Sequence, residues 1–314
     1  MLGESKSQIL DGLNDTAEHV LPARLVEAGP PPEQRACNAA RIIGGEPELC
    51  GYPIVLKPDA GERGYGVAII RSSNELEPYF RRIQGPVLCQ KYHPGPCEFG
   101  VFWIRKTDAI DDEEPTPAGR IYSVTRKRFP LIEGDGVHTL EELIFRDNRF
   151  RKQSKLMLRR HRDRLGWVPS EGETVRLGHA GNHAQGAIFS DGGDLVTPEL
   201  SAKIDEIARS FRGDGDGELD FGRFDLRCPS EDDLRAGRNL AIIEVNGVFS
   251  ESTNLYDPDR SALWAYRVLL GQWKRLYEVG AARKRAGRTP IGAAELARTI
   301  IEHRRSQRTP WSGG

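Results

Sequence analysis

The chain has 314 residues, 38% of them hydrophobic and 29% charged, with a formal net charge of −1. This suits a soluble protein of about two domains with a sizeable core, and a near-neutral balance gives no field calling for nucleic acid or an anionic membrane. No apolar run approaches the ~18 residues that span a bilayer. The first 15 residues lack the apolar stretch of a signal peptide. The five cysteines (37, 50, 89, 97 and 228) form no C-x-x-C pair, which argues against a disulfide framework or zinc site and fits a reducing cytoplasm.

In chain order, residues 1–32 read as lacking regular structure and end in a Pro-rich run. Helical spacing over 33–43 stops at Gly44-Gly45. Strands are predicted at 52–56 and 67–71, with a Gly-rich stretch over 61–66 between them. Ser73 opens a helix over 74–83, and a strand follows at 87–91. His93-Pro94-Gly95-Pro96 is a turn or hinge. Two strands, 99–105 and 120–126, flank an acidic loop over 108–117. Thr139 and Glu142 form a capping box for a helix over 140–146, and a strongly basic helix is expected over 149–164. Thr197-Pro198 starts a helix to 211. Strands at 221–226 and 240–245 precede two terminal helices, 260–285 and 291–304. In the first of these, Trp264, Tyr266, Leu269, Leu270, Trp273 and Leu276 have the helical spacing of a core or an interface. Interspersed helices and adjacent strand hairpins predict an α+β fold.

Three segments carry chemistry. Arg223 and Asp225 lie two apart on one predicted strand, and Glu244 and Asn246 two apart on the next, so each pair shares a face. If the strands pair, three oxygen-bearing side chains and a guanidinium converge, a donor set suited to Mg²⁺, although taken alone the pattern reads first as a solvated charged surface. Lys57 ends an apolar strand just before glycines 61, 64 and 66, a loop whose backbone N–H groups can approach phosphate; it lacks the order of a P-loop, and a plain tight turn also accounts for it. The strand 87–91 followed by a turn exposes backbone groups suited to an adenine edge, and Glu98 lies where a carboxylate could take ribose hydroxyls.

In this order and at these separations, the segments resemble the ATP-grasp superfamily over about residues 50–250. They resemble most its carboxylate–amine ligases: D-alanine–D-alanine ligase, ribosomal glutamate ligases, and the ATP-grasp part of cyanophycin synthetase. The runs 126–130 and 134–143, and Gly181-Asn182 with Gly186, look particularly like the last. The resemblance implies two α+β lobes clasping the nucleotide: an extension with one helix at 1–45, a small lobe at 46–92, a large lobe at 93–285 and a helical tail at 286–314. It implies that Lys57 contacts ATP phosphates under a lid containing Gly61, Arg63, Gly64 and Gly66. Gln90 would face the adenine amino group, Lys91 and Tyr92 would give backbone contacts, and Glu98 would bind ribose. Asp225, Glu244 and Asn246 would hold two Mg²⁺ ions, and Arg223 would steady the acyl phosphate. Lys127, Arg128, Ser250 and Ser252 are weaker candidates for substrate contacts.

Ligases of this kind usually carry a substrate domain ahead of the nucleotide lobe, whereas about 50 residues precede Lys57 here. The family also tends to supply a second ATP-contacting lysine, and Lys6 is the one lysine upstream. The expected activity is ATP-dependent joining of a carboxylate to an amine, with amino acids or peptides as substrates. A small-molecule kinase, or a non-catalytic ATP-binding module serving a partner protein, are the alternatives. A second copy or a partner could supply the missing domain. His179 and His183 lack further ligands at useful spacing and read as structural.

Overall fold

The structure is a computed structural model and describes residues 5–60, 66–110, 117–178, 181, 186–213 and 217–306. Gly61, Arg63, Gly64, His179 and His183 lie outside the described residues.

Helices and antiparallel sheets alternate along the chain, as the α+β expectation has it. The first sheet has four strands in the order β1 (Ala23–Val26), β4 (Val87–Lys91), β2 (Ile54–Pro58), β3 (Ala68–Ile70). Helices α2 (Pro32–Gly45) and α3 (Leu76–Arg82) cover it, and Ala39, Ile43, Leu56, Phe80 and Val87 are among the residues of that core. Arg35 is buried there because its guanidinium donates to four backbone carbonyls, those of Glu27, Ile83, Gln84 and Gly85, and lies over the Phe80 ring. A buried cation is tolerated when every donor finds an acceptor.

The second sheet has five strands in the order β11 (Ala241–Asn246), β10 (Phe221–Cys228), β5 (Cys97–Arg105), β6 (Gly119–Arg128), β9 (Ile188–Asp191). Alternation along these strands sorts residues to two faces. Phe99, Val101, Val124, Phe224 and Leu226 point to the main core, where Leu200, Ile204 and Ile207 of α7 (Pro198–Ser210) meet them. Each such fully buried side chain contributes roughly 1.5–3 kcal/mol. Asp205 of α7 is also buried, and its carboxylate accepts from Trp103 Nε1 and from the N–H groups of Ala118 and Gly119. Gly119 is required under that indole, since a Cβ there would sit 2.1 Å from Trp103. The opposite face carries Glu98, Gly100, Thr125, Lys127, Arg223 and Asp225.

A third unit pairs β7 (Leu131–Glu133) with β8 (Thr174–Arg176) and packs α4 (Leu140–Arg146), α5 (Asn148–Lys152) and α6 (Ser154–Arg160) against them. The run 134–139 is local architecture. Asp135 Oδ1 accepts from the N–H groups of Val137 and His138, Gly136 has a φ of +70°, and Thr139 with Glu142 forms the expected capping box.

Three expectations need correction. Residues 1–32 are not without structure: α1 (Lys6–Asp11), with a Ser5/Gln8 capping box, and β1 lie within them. Elements of six and four residues carry too little periodicity to be read from sequence, and tertiary pairing with β4 stabilises β1. The basic run 149–164 is not one helix but α5, α6 and a 3₁₀ turn, broken at Gln153 and His161. Arg149 and Arg160 reach the carbonyls of Ala187 and Leu177, and these bonds compete with a continuous exposed helix. Ser73 does not cap α3; it begins a 3₁₀ turn leading into it. In α9 (Ala262–Arg285), Tyr266, Leu270 and Trp273 are exposed, so of the two readings of that apolar spacing, core or interface, they are not core. Among the described residues, no helix is long and apolar enough to cross a membrane.

Candidate active site

Strands β10 and β11 do pair, with Arg223 opposite Asn246 and Asp225 opposite Glu244. A bulge follows, so that Leu226 next faces Ile242 and Ile243 is the extra residue. A bulge turns backbone groups out of the ladder. Here the Ile243 carbonyl points to the first sheet and accepts from Lys57 Nζ at 2.8 Å and from Gln90 Nε2 at 3.5 Å. Leu21 N–H also crosses, donating to Ile242 O. The two sheets therefore meet along β11, and Lys57 arrives beside Glu244.

Lys57 is buried, and its pKa is pulled down to about 8, chiefly by that burial and in part by Lys6, with Glu244 opposing. Lys6 is not in a loose terminus. Its N–H donates to Asp59 O, and Ser7 donates to the Asp59 carboxylate, which docks α1 on the end of β2.

On the polar face of the second sheet, five charges alternate in sign along a row: Arg223, Asp225, Lys127, Glu98 and Arg227. Arg223 Nε lies 2.9 Å from Asp225 Oδ1, and Lys127 Nζ lies 3.0 Å from Asp225 Oδ2 and 3.4 Å from Glu98 Oε1. Arg227 Nη2 lies 2.9 Å from Glu98 Oε2. All five side chains are at most 13% exposed. Burial would raise the Asp225 carboxyl, but Arg223 and Lys127 outweigh it and hold the carboxyl below its ordinary range. Gly100 lies under this row; a Cβ there would come within 3.1 Å of Arg223 Cδ.

Asn246 Nδ2 donates to Asp225 Oδ2 at 3.3 Å, while the Glu244 carboxylate makes no hydrogen bond or ion pair among the described residues. Also among those residues, no three His, Cys, Asp or Glu side chains converge as a metal site. Asp225, Glu244 and the Asn246 amide are instead a two-carboxylate oxygen set, which fits Mg²⁺ when phosphates complete its shell.

The remaining candidates are distributed unevenly. Gln90 is buried and reaches toward Leu21 O and Ile243 O. The Lys91 N–H donates to Pro22 O, and Tyr92 follows at the hinge. Arg128 is exposed at the end of β6, on the face opposite Lys127. Gly66, with a φ of +67°, packs against Pro58. Ser250 Oγ turns back onto Gly247 O, and Ser252 is buried with its hydroxyl on that of Ser123. Two participants escape the sequence reading. Arg227 continues the alternation 223, 225, 227, a signal visible had the strand been extended past 226. Gln272 of α9 accepts from Ser252 N–H and donates to Ser250 O, holding the loop whose Glu251 carbonyl accepts from Arg223. Nothing local marks that residue.

No family model and no curated protein matches the chain. Among solved structures, it is similar to a bifunctional glutathione synthetase from Pasteurella multocida (14% identity, 77% of this chain and 32% of that one, TM-score 0.37). It is similar also to a carboxyaminoimidazole ribonucleotide synthase from Aspergillus clavatus in complex with ATP (13% identity, 93% and 53%, TM-score 0.45). A third is the VanG D-Ala:D-Ser ligase from Enterococcus faecalis (13% identity, 87% and 62%, TM-score 0.46). The chain thus spans between about a third and three-fifths of the length of these three proteins.

Proposed function

We propose that this chain is an ATP-dependent ligase that activates a carboxylate as an acyl phosphate and joins it to an amine, releasing ADP and phosphate. The observation behind this reading is the meeting at β11 of a buried lysine from one sheet with Arg223, Asp225, Glu244 and Asn246 from the other. Lysine, arginine and hard oxygen donors at one seam between two sheets are the parts that phosphoryl transfer needs, since that chemistry is mainly positioning and charge neutralisation.

In this reading the triphosphate lies at the seam, with Lys57 exchanging the Ile243 carbonyl for phosphate oxygens and Lys6 beside it as the second cation. Gln90 and Glu98 take the adenine and ribose ends. Asp225, Glu244 and Asn246 hold Mg²⁺, which when bound neutralises phosphate charge and aligns the transferring group. A substrate carboxylate oxygen attacks the γ-phosphorus as the bond to the β–γ bridging oxygen breaks, and ADP leaves. An amine nitrogen then attacks the acyl carbon, phosphate departs with the bonding pair, and the nitrogen gives its proton to solvent. Arg223 stabilises the oxyanion of that step, Lys127 holds Asp225 and Glu98 in place beside it, and Ser250 lies toward the approach of the substrates, while Arg128, on the other face of β6, and the buried Ser252 take no direct part.

The test is ADP release in the presence of pooled amino acids and dipeptides, with mass spectrometry of the products and Asp225→Asn as the inactive control. An amide product with stoichiometric ADP supports the ligase. ATP binding without stimulation of ADP formation by any pool refutes it, and a phosphorylated substrate without amide reassigns the chain as a kinase.

A further inference from the structure

Helix α9 has two unlike sides. Its inner side packs through Val279 on Phe102, Ile104 and Phe221 and buries Gln272. Its outer side exposes Leu263 (71%), Tyr266 (64%), Leu270 (59%), Trp273 (56%) and Tyr277 (77%). Their spacing of three, four, three and four residues places them within about 60° of Leu270 on the helix surface, directly opposite Val279. Arg267 and Lys274 are exposed on the same strip, and Lys274 Nζ lies 3.9 Å from Glu278 Oε1. A monomer rarely shows water such a run of large apolar side chains.

We propose that this strip is a homodimer interface, with α9 packed antiparallel on α9 of a second copy about a two-fold axis through Leu270. Two properties of the strip select a second copy. The first is self-complementarity, which a two-fold interface demands. With Leu270 against itself, Leu263 falls opposite the partner's Tyr277. Arg267 then falls opposite the partner's Trp273, and Lys274 opposite the partner's Tyr266. Each cation meets an aromatic face instead of a like charge, an attractive arrangement. The second is area. Five large side chains exposed to this degree offer roughly 650 Å² per protomer, and the stems of Arg267 and Lys274 bring this near the ~800 Å² per partner of a stable interface. The interface would bear on the site through Gln272, which projects from the other side of α9 and holds residues 250–252 beside Arg223.

Sedimentation velocity on the full chain tests this without reference to activity. The expected result is a species of twice the 35.0 kDa chain mass, weakened about 100-fold or more in Kd by Leu270→Glu, which places two carboxylates on the axis. Because Leu270 is largely exposed, the variant should keep the wild-type circular dichroism and melting transition. In a Cys37→Ser/Cys50→Ser background, Leu270→Cys should oxidise to a linked dimer, whereas Leu263→Cys alone should not. A monomer at about 50 µM, a dimer indifferent to Leu270→Glu, or failure of the Leu270→Cys link overturns the proposal. So does a monomer that binds phosphatidylglycerol vesicles through the same strip.

Discussion

Replacing Lys57 with Met should stabilise the protein at neutral pH, and the gain should shrink as the pH rises. Lys57 falls from an ordinary pKa of 10.5 to about 8 on folding, because burial penalises its charged form. Between those values the unfolded chain binds the proton and the folded chain does not, so wild-type stability rises with pH across that window. Below pH 8 the full shift applies, a penalty of ~3 kcal/mol at 1.36 kcal/mol per unit. By about pH 9.5 roughly 2 kcal/mol of it has been recovered. Lys57→Met removes the penalty at all pH values and forfeits one hydrogen bond, to the Ile243 carbonyl, worth ~1 kcal/mol. The variant should therefore be more stable by ~2 kcal/mol at pH 7 and about equal near pH 9.5. Urea denaturation of both proteins at several pH values measures the difference and cancels the titrating groups that are not coupled to Lys57. A wild type that does not gain on the variant between pH 7 and 9.5 would refute the reasoning. A stability cost of this kind is what the proposed phosphate-binding role of Lys57 would carry.

Arg223→Ala should lower turnover by ~10²–10³, or ~2.7–4 kcal/mol, and leave nucleotide binding nearly unchanged, as steady-state rates beside calorimetric nucleotide titration would show. Lys127→Met leaves the buried Asp225 and Glu98 carboxylates without the cation between them. It should cost ~3–5 kcal/mol in urea denaturation, and a loss below ~1 kcal/mol would mean that the row is not electrostatically continuous. Gly100→Ala presses on Arg223 Cδ and Asp225 Oδ1. It should reduce turnover ~10-fold or more while changing stability by no more than ~1 kcal/mol; a large drop in melting temperature with normal turnover would contradict that view of Gly100.

The sequence by itself determined the elements with strong local signals and the shared faces within them. Period two put Arg223 with Asp225, and Glu244 with Asn246, and the Thr139/Glu142 box and the Thr197-Pro198 start announced their helices. These follow from backbone geometry and capping, which act over a few residues. Contacts made across long separations were decided by the tertiary structure. A bulge at Ile243 sends a carbonyl to Lys57, 186 positions away, and pairing of β5 with β6 and β10 lines Glu98 up with Lys127 and Arg227. The short α1 and β1 exist because α1 docks on Asp59 and β1 completes a sheet, support that their few residues cannot signal. The spacing along α9 announced an apolar face, but whether that face is core or surface depends on what packs against it. Only the folded chain shows Val279 turned inward and Leu270 toward solvent.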